Sequence, residues 1–172
     1  HVVLAIDQPG HGKSDPPAYA GGFGGPAALE YLADREEVDE ENIGLEGHSM
    51  GGWSVALAAA EHPDAYESMV LAGSGTGLES QGVPAGNESY PRNLAVVFGE
   101  YDEFSWLMWG ADDSRDIGDS EQIKAQFGVN ETVEEGPVYG AVDDGTARRL
   151  VQPSVTHPGT HHSPAAVAQA VG

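Results

Sequence analysis

Short runs of apolar residues alternate along the 172-residue chain with segments that carry helix signals. The runs are continuous, rich in β-branched residues and closed by turn-forming or glycine-containing segments, a pattern that predicts strands buried on both faces. Strands of that kind are typical of parallel sheets. The predicted strands are VVLAI at 2–6, IGLEGH at 43–48, SMVLAGS at 68–74 and NLAVVFGE at 93–100.

Helices are predicted between and after these strands from their start and stop residues. Proline suits the first turn of a helix, serine caps its amino end and glycine ends it. A helix from Met50 to about Glu61 ends before His62-Pro63, because a residue before proline disfavours helical backbone. The other predicted helices are AALEYLAD at 27–34 behind Pro26, SEQIKAQFG at 120–128 with Gly128 as its stop, and SPAAVAQAVG at 163–172 with Ser163 as cap and Pro164 at its first position.

Strands that alternate with helices predict an α/β fold with a mostly parallel sheet flanked by helices. One antiparallel element is expected late in the chain, because Asp143-Asp144-Gly145 is a hairpin-like turn signal between PVYGAV and ARRLVQP. The length and an apolar content of 40% suit a single domain over residues 1–172.

Acidic residues dominate the charge, since 28 Asp and Glu stand against seven Lys and Arg and give a net charge of -21. Such a surface repels nucleic acid and anionic lipid, so neither is expected as a partner. The acids are dispersed and the only lysines are Lys13 and Lys124. This pattern is typical of proteins adapted to molar salt, where screening acts over roughly 3 Å. The chain has no cysteine, which excludes disulfides and thiolate chemistry.

No targeting or membrane signal is visible in the sequence. The opening HVVLAID has neither the basic start nor the cleavage site of a signal peptide, and no apolar stretch approaches the roughly eighteen residues of a membrane span. We expect no membrane contact by this chain, and the compartment stays open with the cytoplasm slightly favoured. Because the chain lacks an initiator Met and opens inside a predicted strand, we also expect it to be a piece of something longer.

Candidate catalytic residues follow the predicted strands at the points where they end. Reactive groups gather at the carboxyl ends of strands in open α/β sheets, because loops and helix amino termini converge there. Ser49 follows the second strand, Asp102 follows the fourth, and His157 follows the late segment ARRLVQP. A serine, an acid and a histidine thus appear in that order.

Four motifs carry a resemblance to the α/β-hydrolase superfamily that covers nearly the whole chain. Gly47-His48-Ser49-Met50-Gly51 matches the G-x-S-x-G nucleophile elbow, with a predicted strand before it and a predicted helix after it. DQPGHGKS at 7–14 resembles the D-x-x-G-H-G-x-S loop, and FGEYD at 98–102 resembles the G-x-x-D acid turn. THPGTHHSP at 156–164 resembles the loop with the catalytic histidine, in which a proline several residues on opens the last helix.

The resemblance implies a catalytic triad, and each role has a physical reason. A serine hydroxyl is a weak nucleophile, so Ser49 requires a base, His157, and an acid, Asp102, that fixes the tautomer of that base. The backbone N–H of Met50 is expected to donate to an oxyanion at the start of the helix. We expect Gly47 and Gly51 to support the elbow because a Cβ at either position would clash, and His48 to hold a loop through a backbone hydrogen bond.

Each assignment has competitors. Ser49 could be only a small residue in a turn. The acids Glu100, Glu103, Asp112 and Asp113 compete with Asp102, and the histidines His161 and His162 compete with His157, although the spacing to Pro164 favours His157. His157 together with His161 or His162 could instead form a metal site, but we expect no metal and no cofactor. His11 is expected to bond backbone. Trp53 is expected in the core, and Trp106 and Trp109 could lie near the substrate.

The resemblance also implies elements that these residues do not supply. In the superfamily's usual sheet order, another strand lies between the strand at 2–6 and the elbow strand, and the loop after it provides the second oxyanion donor. We therefore expect an α/β-hydrolase fold that lacks the first strands, weakly active or inactive by itself. The connection between residues 74 and 94 is too short for a large cap domain.

The function implied by these features is a serine hydrolase. It would cleave an ester, thioester or amide of a small-molecule acyl substrate through an acyl-enzyme. A non-catalytic domain that keeps the fold as a binding or assembly module is an alternative of another class. Acyl transfer to an acceptor other than water is a third.

Overall fold

A five-stranded sheet forms the centre of the computed structural model, which describes residues 1–171. The strands are β1 (Gly44–His48), β2 (Ser68–Ala72), β3 (Leu94–Val97), β4 (Val138–Tyr139) and β5 (Arg148–Val151). Their order is β1-β2-β3-β5-β4; the pairs β1–β2, β2–β3 and β3–β5 are parallel and β4 pairs antiparallel with β5. The mostly parallel sheet and the late antiparallel element are as predicted.

Side chains on the central strands form the core in register. Leu71 of β2 pairs with Val96 of β3, which pairs with Leu150 of β5, and all three are fully buried. Burial of each such aliphatic side chain is worth roughly 1.5–3 kcal/mol. Their neighbours along the strands face the opposite side of the sheet, where Val97 and Val151 pack against Ala166 of the last helix. Both faces of the sheet are therefore covered, which explains why the strands are apolar without alternation.

Six α-helical segments, besides shorter 3₁₀ turns, surround the sheet within residues 1–171. They are α1 (Ala20–Phe23), α2 (Gly25–Ala33), α3 (Met50–Glu61), α4 (Ser105–Trp109), α5 (Glu121–Phe127) and α6 (Pro164–Val171). The local signals mark four of these helices correctly. The Ser120 hydroxyl caps α5 by accepting from the N–H of Ile123 at 3.1 Å, and α5 ends at Gly128 with φ 66°. The Ser163 hydroxyl accepts from the N–H of Ala165 at 3.2 Å at the start of α6.

The predicted strand at residues 2–6 is not formed. Val2 and Val3 are 51% and 85% exposed, and residues 2–6 pair with no other strand. The reason is the lack of a partner: β1 is the edge of the sheet and pairs with β2, while a cleft lies between β1 and residues 3–8. An apolar run becomes a strand only where another strand satisfies its backbone groups.

The connection between β2 and β3 is short and irregular. Its only helical piece among the described residues is a 3₁₀ turn at Glu79–Gln81, so no cap domain is inserted there. None of the helices described in residues 1–171 has the length and apolar character needed to cross a membrane.

Candidate active site

Ser49 occupies a strained turn between the end of β1 and the start of α3. Its φ of 56° and ψ of -120° lie in a region that non-glycine residues rarely adopt, at a cost of roughly 1–3 kcal/mol. The backbone is held on both sides: the Ser49 N–H donates to the carbonyl of Ala72 at 3.0 Å, and its carbonyl accepts from the N–H of Gly52 and the hydroxyl of Ser74. These bonds engage the backbone N–H and carbonyl of Ser49, and none of them involves its hydroxyl.

The glycines of the elbow have different roles from those expected. A Cβ at Gly47 would overlap the backbone of Gly51 and Gly52, so only glycine fits at this position. The expectation for Gly51 is wrong, because a Cβ there would meet no atom within 4 Å. A Cβ at Gly52 would overlap the side chain of Ser74. In the sequence, the doubled glycine after Met50 is the signal for this constraint.

His157 and Asp102 form a buried pair. The imidazole Nδ1 of His157 lies 2.8 Å from Oδ2 of Asp102, and the two residues are 7% and 3% exposed. The other carboxylate oxygen of Asp102 accepts from the N–H of Phe104 at 3.0 Å. A carboxylate can only accept, so Nδ1 carries the proton and Nε2 presents a lone pair. This is the tautomer that a general base requires.

The other acids considered as partners of His157 do not bond its imidazole. Glu100 accepts from the hydroxyl of Ser154 at 2.6 Å, and Glu103 accepts from the backbone N–H of His157 at 3.3 Å. Asp113 forms an ion pair with Arg115, whose hydrogen bonds lower the pKa of that carboxyl to about 2. Asp112 is exposed. Asp102 is therefore the acid that the fold brings to the imidazole.

His48 joins the elbow to the loop that carries His157. Its Nε2 lies 3.0 Å from the backbone carbonyl of His157, and because a carbonyl only accepts, Nε2 carries the proton. The His48 ring also lies 4.5 Å from that of His161, centroid to centroid. Burial lowers the pKa of His48, and the hydrogen bond to the carbonyl of His157 offsets part of that effect. His48 thus links the end of β1 to the loop that carries His157.

The two competing histidines are exposed and follow His157 in a 3₁₀ segment, His157–His162. His161 stacks on His162 with ring centroids 3.9 Å apart. Removal from water, followed by the proximity of His48, lowers the pKa of His161. Within residues 1–171, no group of three or more His, Cys, Asp or Glu side chains is arranged to hold a metal ion.

Gly73, which follows β2, is a site residue that the motifs did not indicate. Its φ is 53°, and a Cβ there would lie 3.1 Å from Nδ1 of His157 and 3.2 Å from Nε2 of His48. A side chain at this position would press on both imidazoles.

The DQPGHGKS loop closes on itself beside the elbow. Asp7 accepts from the N–H of Lys13 at 2.9 Å through its side chain and from the hydroxyl of Ser14 at 2.6 Å through its carbonyl. His11 bonds the carbonyl of Pro9 through Nδ1 at 3.1 Å, as expected. The backbone bonds fold the loop tightly, and Asp7 and His11 face a cleft that Ser49 also lines.

That cleft has a volume of about 1020 Å³, and Ser49, Met50 and His157 all line it. It continues along the free edge of β1, between residues 3–8 on one side and α2 and α3 on the other. The predicted nucleophile and base therefore share one solvent-connected space.

The tryptophans expected near the substrate, Trp106 and Trp109, lie away from the cleft at Ser49. Trp109 is fully buried in the core, and Trp106, 63% exposed, lines a separate pocket of about 380 Å³ beside Asp102. Neither lines the cleft at Ser49. Trp53 packs edge-on against Phe23 and contacts the core, as expected.

Comparison with known proteins adds three findings. A family model described as alpha/beta hydrolase fold matches residues 1–113. The 2-hydroxy-6-oxononadienedioate/2-hydroxy-6-oxononatrienedioate hydrolase of Cupriavidus pinatubonensis is 37% identical over 86 residues, and hydrolase 1 of the same description from Dechloromonas aromatica is 38% identical over 88 residues. Each match covers 50% of this chain and 30% of the relative, so the chain aligns with less than a third of the length of these proteins.

Proposed function

We infer the activity from the family, because the chain belongs to the alpha/beta hydrolase fold proteins. We propose that it is a serine hydrolase in which Ser49 attacks a carbonyl carbon of a small-molecule substrate, His157 acts as base and Asp102 orients His157. One observation carries the proposal: His157, held by a buried 2.8 Å contact with Asp102, lines the same cleft as a serine at positive φ.

The reaction would proceed in two halves. The Ser49 hydroxyl gives its proton to Nε2 of His157 while its Oγ bonds to the carbonyl carbon, and the leaving group departs with that proton. Water then attacks the acyl carbon and gives a proton to His157, and His157 passes that proton to the departing Oγ of Ser49, which releases a carboxylic acid and free Ser49. The first N–H groups of a helix lack partners inside the helix, so the N–H of Met50 would donate to the oxyanion in both halves.

The bond cleaved is proposed as an ester, thioester or amide. The names of the relatives favour a second candidate. A 2-hydroxy-6-oxononadienedioate has a ketone and two carboxylates but no ester, so its hydrolysis breaks a carbon–carbon bond beside a carbonyl. Both candidates begin with the same attack on a carbonyl, and the roles proposed for Ser49, His157 and Asp102 are common to them.

Covalent labelling tests the proposal. We expect a fluorophosphonate probe in molar salt to label the full-length protein at Ser49, and both Ser49→Ala and His157→Ala to abolish labelling. Ser80→Ala, on the 3₁₀ turn Glu79–Gln81, is a control that should label normally. Absent labelling of the folded full-length protein, or labelling unchanged by Ser49→Ala, would contradict the proposal and favour a non-catalytic module. Hydrolysis and acyl transfer are then separated by adding an alcohol acceptor and measuring the product ratio.

A further inference from the structure

Three consecutive residues, Asp102, Glu103 and Phe104, all contact His157. Asp102 binds Nδ1 of the imidazole, Glu103 accepts from the backbone N–H, and the ring of Phe104 packs against the imidazole in a T-shaped arrangement with centroids 4.7 Å apart. Phe104 also holds Asp102, because its N–H donates to Oδ1 of that carboxylate at 3.0 Å. This tripeptide therefore contacts both the ring and the backbone of the proposed base.

A single contact at Nδ1 does not fix the position of an imidazole. The ring can still pivot about the line from Nδ1 to Oδ2 of Asp102, and its backbone can shift, and either movement displaces Nε2 from the Ser49 hydroxyl. Such alignment matters for the rate, since a misplacement of about 1 Å can cost roughly a hundredfold. The backbone of His157 therefore needs partners of its own.

The backbone N–H of His157 lies at the open end of a 3₁₀ segment. His157 is the first residue of that segment, His157–His162, and the first N–H groups of a helix have no acceptor inside it. Thr156 precedes the segment, and within residues 1–171 its side chain makes no capping bond. Because His157 is buried, its N–H depends on an acceptor from elsewhere in the fold.

Glu103 supplies that acceptor. Its Oε2 lies 3.3 Å from the backbone nitrogen of His157, a residue 54 positions away along the chain. The N–H of Glu103 itself lowers the pKa of its carboxyl, removal from water raises it in part, and the N–H of His157 lowers it further. The side chain is therefore an ionised carboxylate at neutral pH, which can only accept.

The other backbone group of His157 is also held by a side chain. Its carbonyl accepts from Nε2 of His48 at 3.0 Å. Glu103 and His48 thus bind the N–H and the carbonyl of one residue from two different elements, the acid turn and the end of β1.

We propose that Glu103 is a positioning residue for the base, whose hydrogen bond to the backbone of His157 keeps Nε2 aligned with Ser49. The inference deepens the proposed function and rests on it. Glu103 bonds the backbone of His157 and not the imidazole, so it acts through His157. The property that matters is its acceptor oxygen and not its charge.

Labelling kinetics of the full-length protein test this role. We expect Glu103→Ala to lower the maximal rate constant of fluorophosphonate labelling, kinact, by about tenfold, because the base is misaligned. The probe's binding constant KI should change by less than about twofold, because the contacts of the bound probe are unaltered. Glu103→Gln keeps a carbonyl acceptor at the same distance and should retain at least about half of the parent rate. Asp112→Ala removes an exposed carboxylate beside the same pocket and should label at the parent rate.

An unchanged kinact in Glu103→Ala, an equal loss in Glu103→Gln, or a loss carried by KI would overturn the inference. A circular dichroism spectrum of Glu103→Ala equal to that of the parent shows that the loss is local. Should that variant unfold, Glu103→Asp, whose shorter side chain withdraws the acceptor, is expected to lose kinact, and a parent rate in it would overturn the inference.

Proton NMR in the Ser49→Ala background separates this inference from the proposed chemistry. The Nδ1–H proton shared with Asp102 gives a resonance far downfield while that hydrogen bond persists, and its absence from His157→Gln assigns it. We expect a sharp resonance in Ser49→Ala, with or without Glu103→Gln, and a resonance broadened by exchange when Glu103→Ala is added. An equally sharp resonance with Glu103→Ala would overturn the inference. The expected broadening in a protein that is not labelled at Ser49 would refute the proposed function and leave the positioning of His157 standing.

Discussion

His48 donates a hydrogen bond from Nε2 to the backbone carbonyl of His157 at 3.0 Å. The bond links the residue before the proposed nucleophile to the residue proposed as its base, 109 positions further along the chain. The two rings also lie 4.8 Å apart, centroid to centroid. His48 is therefore placed to set the position of the His157 loop relative to Ser49.

Replacing His48 should lower turnover through geometry. We expect His48→Phe to reduce kcat by about tenfold to a hundredfold with little change in KM, because a displaced base misaligns the reacting atoms. His48→Gln keeps an N–H donor and should recover much of the rate. Equal losses in the two variants would show that the hydrogen bond is not the property that matters.

The free energy of unfolding should depend on pH through His48. Its pKa in the folded chain lies below the ordinary value of 6.5, because burial disfavours the charged ring. The unfolded chain therefore binds more protons, and stability falls as the pH drops below 6.5. We expect denaturant midpoints to fall more between pH 7 and pH 5.5 for the parent chain than for His48→Gln. An equal fall of the denaturant midpoint in the two proteins would contradict this role of His48.

Asp102→Asn tests the triad assignment. Asparagine can turn its amide N–H₂ toward Nδ1, which favours the tautomer that lacks a lone pair on Nε2. We expect the rate of fluorophosphonate labelling to fall by about a thousandfold or more without loss of the fold. Asp112→Asn changes an exposed acid nearby and should label at the parent rate.

The neighbouring glycines of the elbow should respond oppositely to alanine. Gly51→Ala should stabilise the chain by about 0.5–1 kcal/mol, because the position is helical and the added Cβ meets open space. Gly52→Ala should destabilise it by about 1–3 kcal/mol, since its Cβ would overlap Ser74. Denaturant unfolding of the two variants measures both effects, and a destabilising Gly51→Ala would contradict the packing described here.

Salt should stabilise the fold. A net charge of -21 produces repulsion that is relieved when ions screen it. We expect the Tm to rise steadily between 0.1 M and 2 M KCl. A Tm that is flat or falls over this range would argue against adaptation to molar salt.

Local signals in the sequence were sufficient for much of this architecture. The boundaries of α3 and α5 follow from a proline, a serine cap and a glycine that can adopt positive φ, all of which act within a few residues. Continuous apolar runs located β2 and β3 because strands covered on both faces need no polar positions. The order of Ser49, Asp102 and His157 along the chain was also visible without coordinates.

Contacts between residues distant along the chain decided which segments form strands and which side chains meet at the site. Residues 2–6 have the composition of a strand, yet they lie apart from β1, because pairing depends on the neighbouring strand and not on the run itself. Among several acids near residue 102, only packing selects the one that meets the imidazole. The same holds for Gly52 and Gly73, whose constraints come from Ser74 and from the two histidines, side chains distant along the chain that the fold brings close.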